Sequence, residues 1–365
     1  MSRQWRSDDT SPWNHGFGDG HDGSSYVAPA NTGCSGTSGA TTLTLESASS
    51  FANNDLILIH QSRGTHNSWE LNKIISGGGS TTLTLEGQLQ NTYTNSGASQ
   101  AQVIEMKEYE GLTIGSTVNI TTWNTSQGGI VAFFDKGTTT ISSTIVGDYD
   151  GFDGGTGAPN PSVQTGEGHN HAQTTETYDT GGSGGGGHQD SGGGGGGNGT
   201  AGGRGYNGGS PSCYGGDATG NASLTSFTFG GGGGGGSAGN GSGSGGNGGA
   251  GVFIFSYDLV ITGGIYLRGA NGTSGGSGRG GGGGAGGSAL FKCVTATLGT
   301  SKVLATGGSG GGGSEGVGGA GGTGRIHIDY SGSYTGTTSP TIDATLDATI
   351  VPPSTGGAAF LAFFM

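Results

Sequence analysis

Short apolar runs, either alternating with polar residues or continuous, make up the hydrophobic pattern of the chain, and no segment shows the 3.6-residue period of an amphipathic helix. Runs of this kind bounded by Gly, Asn and Ser predict β-strands. In the first 123 residues they are "TTLTLE" (41–46), "DLILIH" (55–60), "TTLTLE" again (81–86), "QVIEM" (102–106), "LTI" (112–114) and "STVNITTW" (116–123). The identical hexapeptides predict a duplicated strand, with the leucines on one face and the threonines on the other.

From residue 128 a unit of strand, link, second strand and glycine run repeats. Its first half is found in "GGIVAFFDKG" (128–137), "AGVFIFSYD" (250–258), "GGSALFKCV" (286–294) and "TGRIHIDY" (323–330). The alignment predicts steps of 38 residues from Val252 to Leu290 and of 35 residues from Leu290 to Arg325. A long insertion, 156–249, separates the first copy from the second.

Glycine runs occur at 184–187, 192–197, 230–236, 280–284 and 310–313, and glycine supplies 92 of the 365 residues. Flexible linkers are one interpretation, but linkers do not usually recur inside a periodic apolar pattern. Stacked repeats bury their strands against each other, and neighbouring glycine helices with three residues per turn can hydrogen-bond at close range. We therefore predict an all-β chain, in which a β-rich N-terminal domain precedes strand and glycine-run repeats packed as a β-solenoid or a polyglycine-II sandwich.

The pattern divides the chain into four parts. Residues 1–40 are predicted to be an extended arm, 41–127 a β-rich domain, 128–330 the glycine-rich repeat domain, and 331–365 a connector that leads to an apolar strand. That last strand is "AAFLAFFM" (358–365), which we expect to pack as a final strand or to dock on another copy or a fibre partner.

Charge excludes one class of partner. The formal net charge is −13, and only 12 Lys and Arg are spread over the chain without a basic patch. Phosphate binding needs clustered cations, so we expect no nucleic-acid partner.

No apolar run approaches the ~20 residues of a membrane span, and the N-terminus lacks the apolar region of a secretory signal peptide. The three cysteines, Cys34, Cys213 and Cys293, allow at most one disulfide.

Two groups of residues suggest metal binding. Asp148, Asp150 and Asp153 in "GDYDGFDGG" alternate like the ligands of a Ca²⁺ loop, but the full EF-hand string is absent and a solvated turn is favoured. Asp19 and Asp22 in "GDGHDG" form a similar, weaker pattern.

His169 and His171, with His188 nearby, could bind a metal from one face of a strand, although exposed loop histidines are the default interpretation.

Glycoside cleavage needs two carboxyl groups ~5–9.5 Å apart. The local cluster that could supply them is Asp148, Asp150, Asp153 and Glu167, and nothing in the sequence pairs them. We expect no enzyme activity, no cofactor and no metal.

Aromatic and polar side chains in the breaks of the glycine-rich insertion are candidates for receptor binding, because recognition residues usually lie on loops held by a rigid scaffold. The candidates are His169, His171, Tyr178, His188, Asp190, Arg204, Tyr206, Tyr214, Phe227 and Phe229. The alternative is that these side chains cap the ends of the glycine helices and keep water out. The sequence leaves both interpretations open.

Over about 156–324, composition and glycine-run pattern resemble those of the glycine-rich distal adhesins of T-even-type phage long tail fibres. That resemblance implies a polyglycine-II sandwich whose loops touch the host receptor. The phrases "GGIVAFF", "KGTTTISSTI" and "GGAGGTGRIHIDYSGSYTGTTSP" are also similar to glycine-rich bacterial cell-surface repeat proteins, over most of 41–340. The β-rich N-terminal half and the interleaved strands depart from the phage pattern.

The favoured expectation is a non-enzymatic, homo-oligomeric structural protein of a virion, a tail-fibre or tail-tip component that binds a host cell-surface receptor. Its location would be the virion tail or another extracellular site. The alternative is a secreted bacterial surface-layer or filament-forming protein. An ice-binding glycine-helix protein is a third hypothesis, and it would require regular, flat, Thr-rich faces.

Overall fold

The computed structural model describes residues 16–48, 50–64, 68–159, 162–170, 172–174, 183–186, 191–207, 210–237 and 241–350. Within these ranges the chain is all-β and contains no helix, which confirms the predicted class. The strands form a closed six-stranded barrel, a curled parallel sheet of ten strands and a separate two-stranded sheet.

The barrel is antiparallel and closes in the order β1-β2-β5-β4-β3-β6. Its strands are β1 (Asn31–Ser35), β2 (Thr42–Leu45), β3 (Leu56–Arg63), β4 (Trp69–Ser76), β5 (Thr82–Leu85) and β6 (Gln100–Glu105). The two "TTLTLE" segments are β2 and β5, which pair with each other so that Leu43 lies opposite Leu83. Their leucines are buried in the barrel interior. The predicted duplicated strand and its facing pattern are confirmed.

Strand β3 is buried on both faces, as its continuous apolar run "LILI" requires. Ile57 and Ile59 point into the barrel interior. Leu56 and Leu58 point the other way, into a core that they share with Trp69 of β4 and with phenylalanines of the parallel sheet. Because successive strand residues alternate between faces, one strand joins the barrel core to the core of the second half.

The parallel sheet is a stack of rungs, where a rung is one pass of the chain across the sheet. Its strands are β7 (Lys107–Tyr109), β8 (Thr113–Ile114), β9 (Val118–Asn119), β10 (Ile130–Ile141), β11 (Thr144–Val146), β14 (Gly251–Ile261), β15 (Gly264–Tyr266), β16 (Ser288–Leu304), β17 (Arg325–Ser339) and β18 (Asp343–Leu346). The first rung is β7–β9, followed by β10–β11, β14–β15, β16 and β17, while β18 covers only part of β17. We call this stack the ladder.

The strands of the predicted repeat pair in the ladder, but the predicted spacing is wrong. Val252 pairs with Ala289, and Ala289 pairs with Ile326, so both steps are 37 residues instead of 38 and 35. A slip of one residue would turn every side chain to the opposite face of the sheet. The correct register places Val252, Ala289 and Ile326 together in the buried interior of the ladder.

The glycine runs form extended segments that hydrogen-bond to one another through the backbone, with a period of three. In the run 230–237, Gly230, Gly233 and Gly236 donate to the carbonyls of Gly249, Gly246 and Gly243; Gly231 and Gly234 donate to Gly197 and Gly194; Gly232 and Gly235 donate to Glu167 and Gln164. Each third residue therefore faces the same neighbouring segment. Buried N–H and C=O groups must be paired, and this arrangement pairs them without a flat sheet.

Close approach, rather than an unusual backbone angle, explains why these positions are glycine. Neither Gly233 nor Gly282 has a left-handed φ. A Cβ atom on Gly233 would collide with the carbonyl oxygen of Gly282, and one on Gly282 would collide with that of Gly194. Neighbouring segments can lie at this distance only because the side chains are missing.

The limits of the two large sheets along the chain differ from the predicted domain boundaries. Strand β1 belongs to the barrel, although it lies in the predicted arm 1–40, and β7–β9 belong to the ladder, although they lie in 41–127. The predicted connector contributes the end of β17 and the whole of β18, whereas "AAFLAFFM" lies outside the described residues. Cys34, Cys213 and Cys293 are buried thiols that form no disulfide, and burial raises the pKa of the Cys34 and Cys293 thiols.

Candidate recognition surface

A short hairpin carries the exposed aromatic residues of the glycine-rich region. Its strands are β12 (Gly205–Asn207) and β13 (Ser210–Cys213), which pair antiparallel. The backbone N–H of Tyr206 donates to the carbonyl of Val317 at 3.0 Å, and the carbonyl of Tyr206 accepts from Gly192 N–H, also at 3.0 Å. The hairpin is thus hydrogen-bonded to two glycine segments, and these bonds fix its position.

Cys213 anchors the other side of the hairpin. Its thiol is buried and donates to the carbonyls of Gly185 at 2.9 Å and of Gly186 at 3.0 Å. The next residue, Tyr214, accepts a hydrogen bond at its backbone carbonyl from the N–H of Gly185, at 3.1 Å. A buried thiol can therefore hold an exposed tyrosine in place.

Three large side chains remain exposed around this hairpin: Tyr206 at 37 %, Tyr214 at 43 % and Val317 at 46 %. The guanidinium carbon of Arg204 lies 4.3 Å from the centre of the Tyr214 ring, a distance at which a cation is attracted to the ring face. We call Arg204, Tyr206, Tyr214 and Val317 the aromatic patch. Tyrosine and arginine are enriched at binding interfaces, because each combines a large contact area with hydrogen-bonding capacity.

An ion pair borders the patch. Arg279 Nη1 lies 2.8 Å from Glu315 Oε2, and Arg279 forms a parallel bridge with Gly316, next to Val317. Glu315 and Val317 both point outward from the glycine run 306–324. A guanidinium, a carboxylate and two phenol groups therefore offer hydrogen bonds around an apolar centre.

The other predicted receptor-binding residues are placed differently. His169 is half-buried, and its carbonyl accepts from the N–H of Gly64. Phe227 and Phe229 lie in the core between barrel and ladder, at 0 % and 1 % exposure, so their rings cannot touch a receptor. Their burial fits the alternative interpretation of the sequence, in which these side chains keep water out. His171, Tyr178, His188 and Asp190 lie outside the described residues.

The aspartates of the proposed Ca²⁺ loop have separate partners. Asp148 accepts from Arg268 Nε at 3.0 Å, Asp150 accepts from the Thr122 hydroxyl at 2.5 Å, and Asp153 accepts from Asn247 at 3.2 Å. Burial raises the pKa values of Asp150 and Asp153. An arginine and two neutral groups bind these carboxylates, so the three do not converge on one point.

Glu167, the fourth carboxylate of that cluster, is buried in a structural contact. It forms an ion pair with Arg63 of β3 and accepts from Trp123 Nε1 at 2.9 Å. Burial raises the pKa of the Glu167 carboxyl, and the charge of Arg63 opposes this shift. No sequence pattern predicts this partner, which lies 104 residues away.

Within the described ranges, one set of three ligand-type side chains comes together: Asp19, His21 and Glu108, with ligand atoms within 4.8 Å of one another. His21 Nδ1 lies 2.6 Å from Asp19 Oδ1, and Glu108 accepts from the Asp19 N–H at 2.7 Å. Burial raises the pKa of Glu108 to about 7. "GDGHDG" carried a weak signal for Asp19, but Glu108 lies 89 residues further along the chain, and no local pattern shows their contact.

Comparisons of the chain with protein-family models, with curated proteins and with solved structures find no match. A search of the described residues for helices long and apolar enough to span a bilayer finds none.

Proposed function

We propose that the protein is a non-enzymatic structural and adhesive component of a phage tail fibre or tail tip, which binds a host cell-surface receptor through loops on a glycine-rich scaffold. The observation that supports this most directly is the aromatic patch. Its rings are exposed, yet their backbone is hydrogen-bonded to the glycine segments on both sides. A pre-organised aromatic surface loses little conformational entropy on binding.

We further propose that the glycine segments form a polyglycine-II sandwich and that the ladder is a short β-solenoid beside it. The three-residue period of the backbone hydrogen bonds in 230–237 supports the first assignment, since a polyglycine-II-like helix has three residues per turn. The in-register stacking of successive rungs supports the second. A rigid scaffold of this kind would hold the patch in one geometry on the outside of a virion.

The partners in this proposal are a glycan or an outer-membrane protein of the host and other tail proteins, with further copies of this chain in a homo-oligomer. The net charge of −13 and the absence of a basic cluster argue against nucleic acid. Tyrosine rings with a stacked guanidinium can bind a sugar ring or a protein loop, so host glycans and host outer-membrane proteins are both ligands to test.

The test is binding of the purified protein to candidate host cells. The variant Arg204→Ala/Tyr206→Ala/Tyr214→Ala should lose binding, while Tyr149→Ala, a matched exposed tyrosine outside the patch at 48 % exposure, should bind as the wild type. Point substitutions are preferable to removing the whole segment 165–229, because such a deletion would also remove Glu167 and the buried Phe227. If the triple variant folds and binds host cells as well as the wild type, the patch is not the receptor site.

A secreted surface-layer or filament protein stays the second candidate. One feature of the fold favours self-assembly in either setting, namely the incompletely covered ends of the ladder.

A further inference from the structure

The two ends of the ladder are covered over only half of their width. At the first rung, the covered half is β7: Asp22 N–H donates to the Glu108 carbonyl at 3.0 Å, and Glu110 N–H donates to the Gly23 carbonyl at 2.8 Å. At the last rung, the covered half is the start of β17, which pairs with β18 from His327 to Tyr330. The same half of the sheet is therefore closed at both ends.

The other half is open at both ends. On the first rung, the long 3.3 Å bond from Thr113 N–H to Ser24 is the last backbone contact, and the outer edge of 114–119 has no backbone partner among the described residues. A groove of about 530 Å³ runs along this edge, lined by Ser25, Tyr26 and residues 113–119. On the last rung, the outer edge of 333–339 likewise has no backbone partner in the described ranges.

Neither open edge carries a charge. The segments "GLTIGSTVNI" (111–120) and "SGSYTGTTS" (331–339) contain no Asp, Glu, Lys or Arg, although the chain has a net charge of −13. Exposed edge strands are ordinarily protected from pairing by charged side chains or proline. These two edges lack both, and their unpaired N–H and C=O groups are templates for another strand.

The two edges also match each other in register. Thr113 pairs with Thr140, which pairs with Val260, and the same column continues through Thr297 to Thr335. All these pairings are parallel. The free edge that each rung offers to the next rung therefore has the same hydrogen-bonding pattern as the edge on which that rung is itself stacked. The edge at Thr335 therefore has the hydrogen-bonding pattern that the edge at Thr113 complements.

From this geometry we propose that a second copy of the chain docks end to end, with its open 114–119 edge paired in parallel to the 333–339 edge of the first copy. Thr113 of the second copy then lies beside Thr335 of the first. The contact is heterologous, so it leaves one open edge at each end of the pair and continues as a linear filament unless the rotation closes a ring. This inference goes beyond host binding and does not depend on it.

The test is sedimentation of the full chain over the micromolar to millimolar range. The wild type should grow in mass beyond two copies as its concentration rises. Thr113→Asp/Thr335→Asp places two like charges in the contact and should stay a single copy. Thr113→Lys/Thr335→Asp, with opposite charges at the same positions, should associate again. Thr44→Asp, an exposed position on the barrel, is the control and should behave as the wild type.

Each variant is first shown to keep the wild-type midpoint of thermal unfolding. The proposal is overturned if the wild type stays a single copy throughout, if association stops at a closed dimer, or if the Asp/Asp and Asp/Lys variants associate equally.

Discussion

The Arg63 guanidinium, on strand β3 of the barrel, forms an ion pair with the Glu167 carboxylate of the glycine-rich region, and the two side chains are only 6 % and 1 % exposed. Glu167 also accepts hydrogen bonds from the Trp123 indole and from the Asp153 N–H. One carboxylate thus links the barrel, the segment that precedes β10 and the start of the glycine segments. A buried ion pair stabilises a fold only while both partners are present.

Removing one partner of this pair should therefore be costly. Arg63→Met and Glu167→Gln should each lower the free energy of unfolding by about 3–5 kcal/mol, because each leaves a buried charge without its counterpart. The double variant should be less destabilised than the sum of the two. Urea unfolding of the four proteins measures this coupling. Purely additive losses would mean that the two side chains do not depend on each other.

A second link between the halves depends on pH. His60 Nε2 lies 3.0 Å from the Phe227 carbonyl, and Nδ1 lies 2.8 Å from the Ser62 hydroxyl. Burial lowers the pKa of His60 to about 4, outweighing the hydrogen bond to Phe227. Between about pH 6.5 and 4 the unfolded chain binds a proton at this residue that the folded chain does not, so the contribution of His60 to stability falls as the pH falls.

The measurement is the free energy of unfolding of the wild type and of His60→Gln across that range. Relative to the wild type, the variant should gain about 3 kcal/mol between pH 7 and pH 4. The comparison variant is His21→Gln: burial opposes the shift, but the hydrogen bond to Asp19 raises the pKa of the half-exposed His21, so this variant should not gain stability on the acid side. A difference between His60→Gln and the wild type that does not change with pH would contradict the assignment.

Local patterns were sufficient for much of the fold. The alternation of leucine and threonine in "TTLTLE" specified two strands and their buried faces, because a strand with one buried face must alternate. The repeated phrases located β10, β14, β16 and β17. In each case the pattern that predicts the strand lies in adjacent residues, and burial of the apolar side chains selects which face of the strand points inward.

Long-range relationships were beyond the reach of those patterns. The predicted alignment of the repeat is out of register by one residue at the first step and by two at the second, because "VFIF" and "ALFK" can be superposed on either face until the stacked neighbour is known. The contacts of Glu108 with Asp19 and of Glu167 with Arg63 join residues 89 and 104 positions apart, which no local pattern encodes. Phe227 and Phe229 looked like loop aromatics because their partners, such as Phe253, lie in another repeat.

Glu108 should oppose His60 in the pH dependence. Burial raises the pKa of Glu108 to about 7, so between about pH 4.5 and 7 the folded chain keeps a proton that the unfolded chain releases. This contribution to stability is complete below that range and is lost as the pH rises through it. The two residues therefore offset each other in the wild type.

Glu108→Gln should remove the second effect, because the amide oxygen can still accept from the Asp19 N–H while carrying no charge at any pH. The variant should be about 2–3 kcal/mol more stable than the wild type above pH 7 and no more stable below pH 4.5. The stability of this variant should then rise with pH, because the effect of His60 is no longer offset by Glu108. A variant whose unfolding free energy follows the wild-type curve at every pH would show that Glu108 does not titrate in this range.

The glycine run 306–324 contains two adjacent residues that distinguish an ordered scaffold from a tether. Gly311 is buried, its N–H donates to the Gly281 carbonyl at 2.8 Å, and an added Cβ would collide with the carbonyl of Thr273. Gly312 is exposed, and the nearest atom to an added Cβ is Ser274 Oγ at 3.9 Å. Neither residue has a left-handed φ, so the two positions differ in available space and not in backbone conformation.

Gly311→Val should therefore lower the free energy of unfolding by about 3 kcal/mol, because backbone on the neighbouring segment must move. Gly312→Val should be neutral or stabilising by up to ~1 kcal/mol, since valine restricts the unfolded chain. Chemical unfolding of the two variants beside the wild type provides the comparison. Equal stabilities for the two variants would indicate a flexible linker, since a tether has no neighbour for the Gly311 side chain to meet.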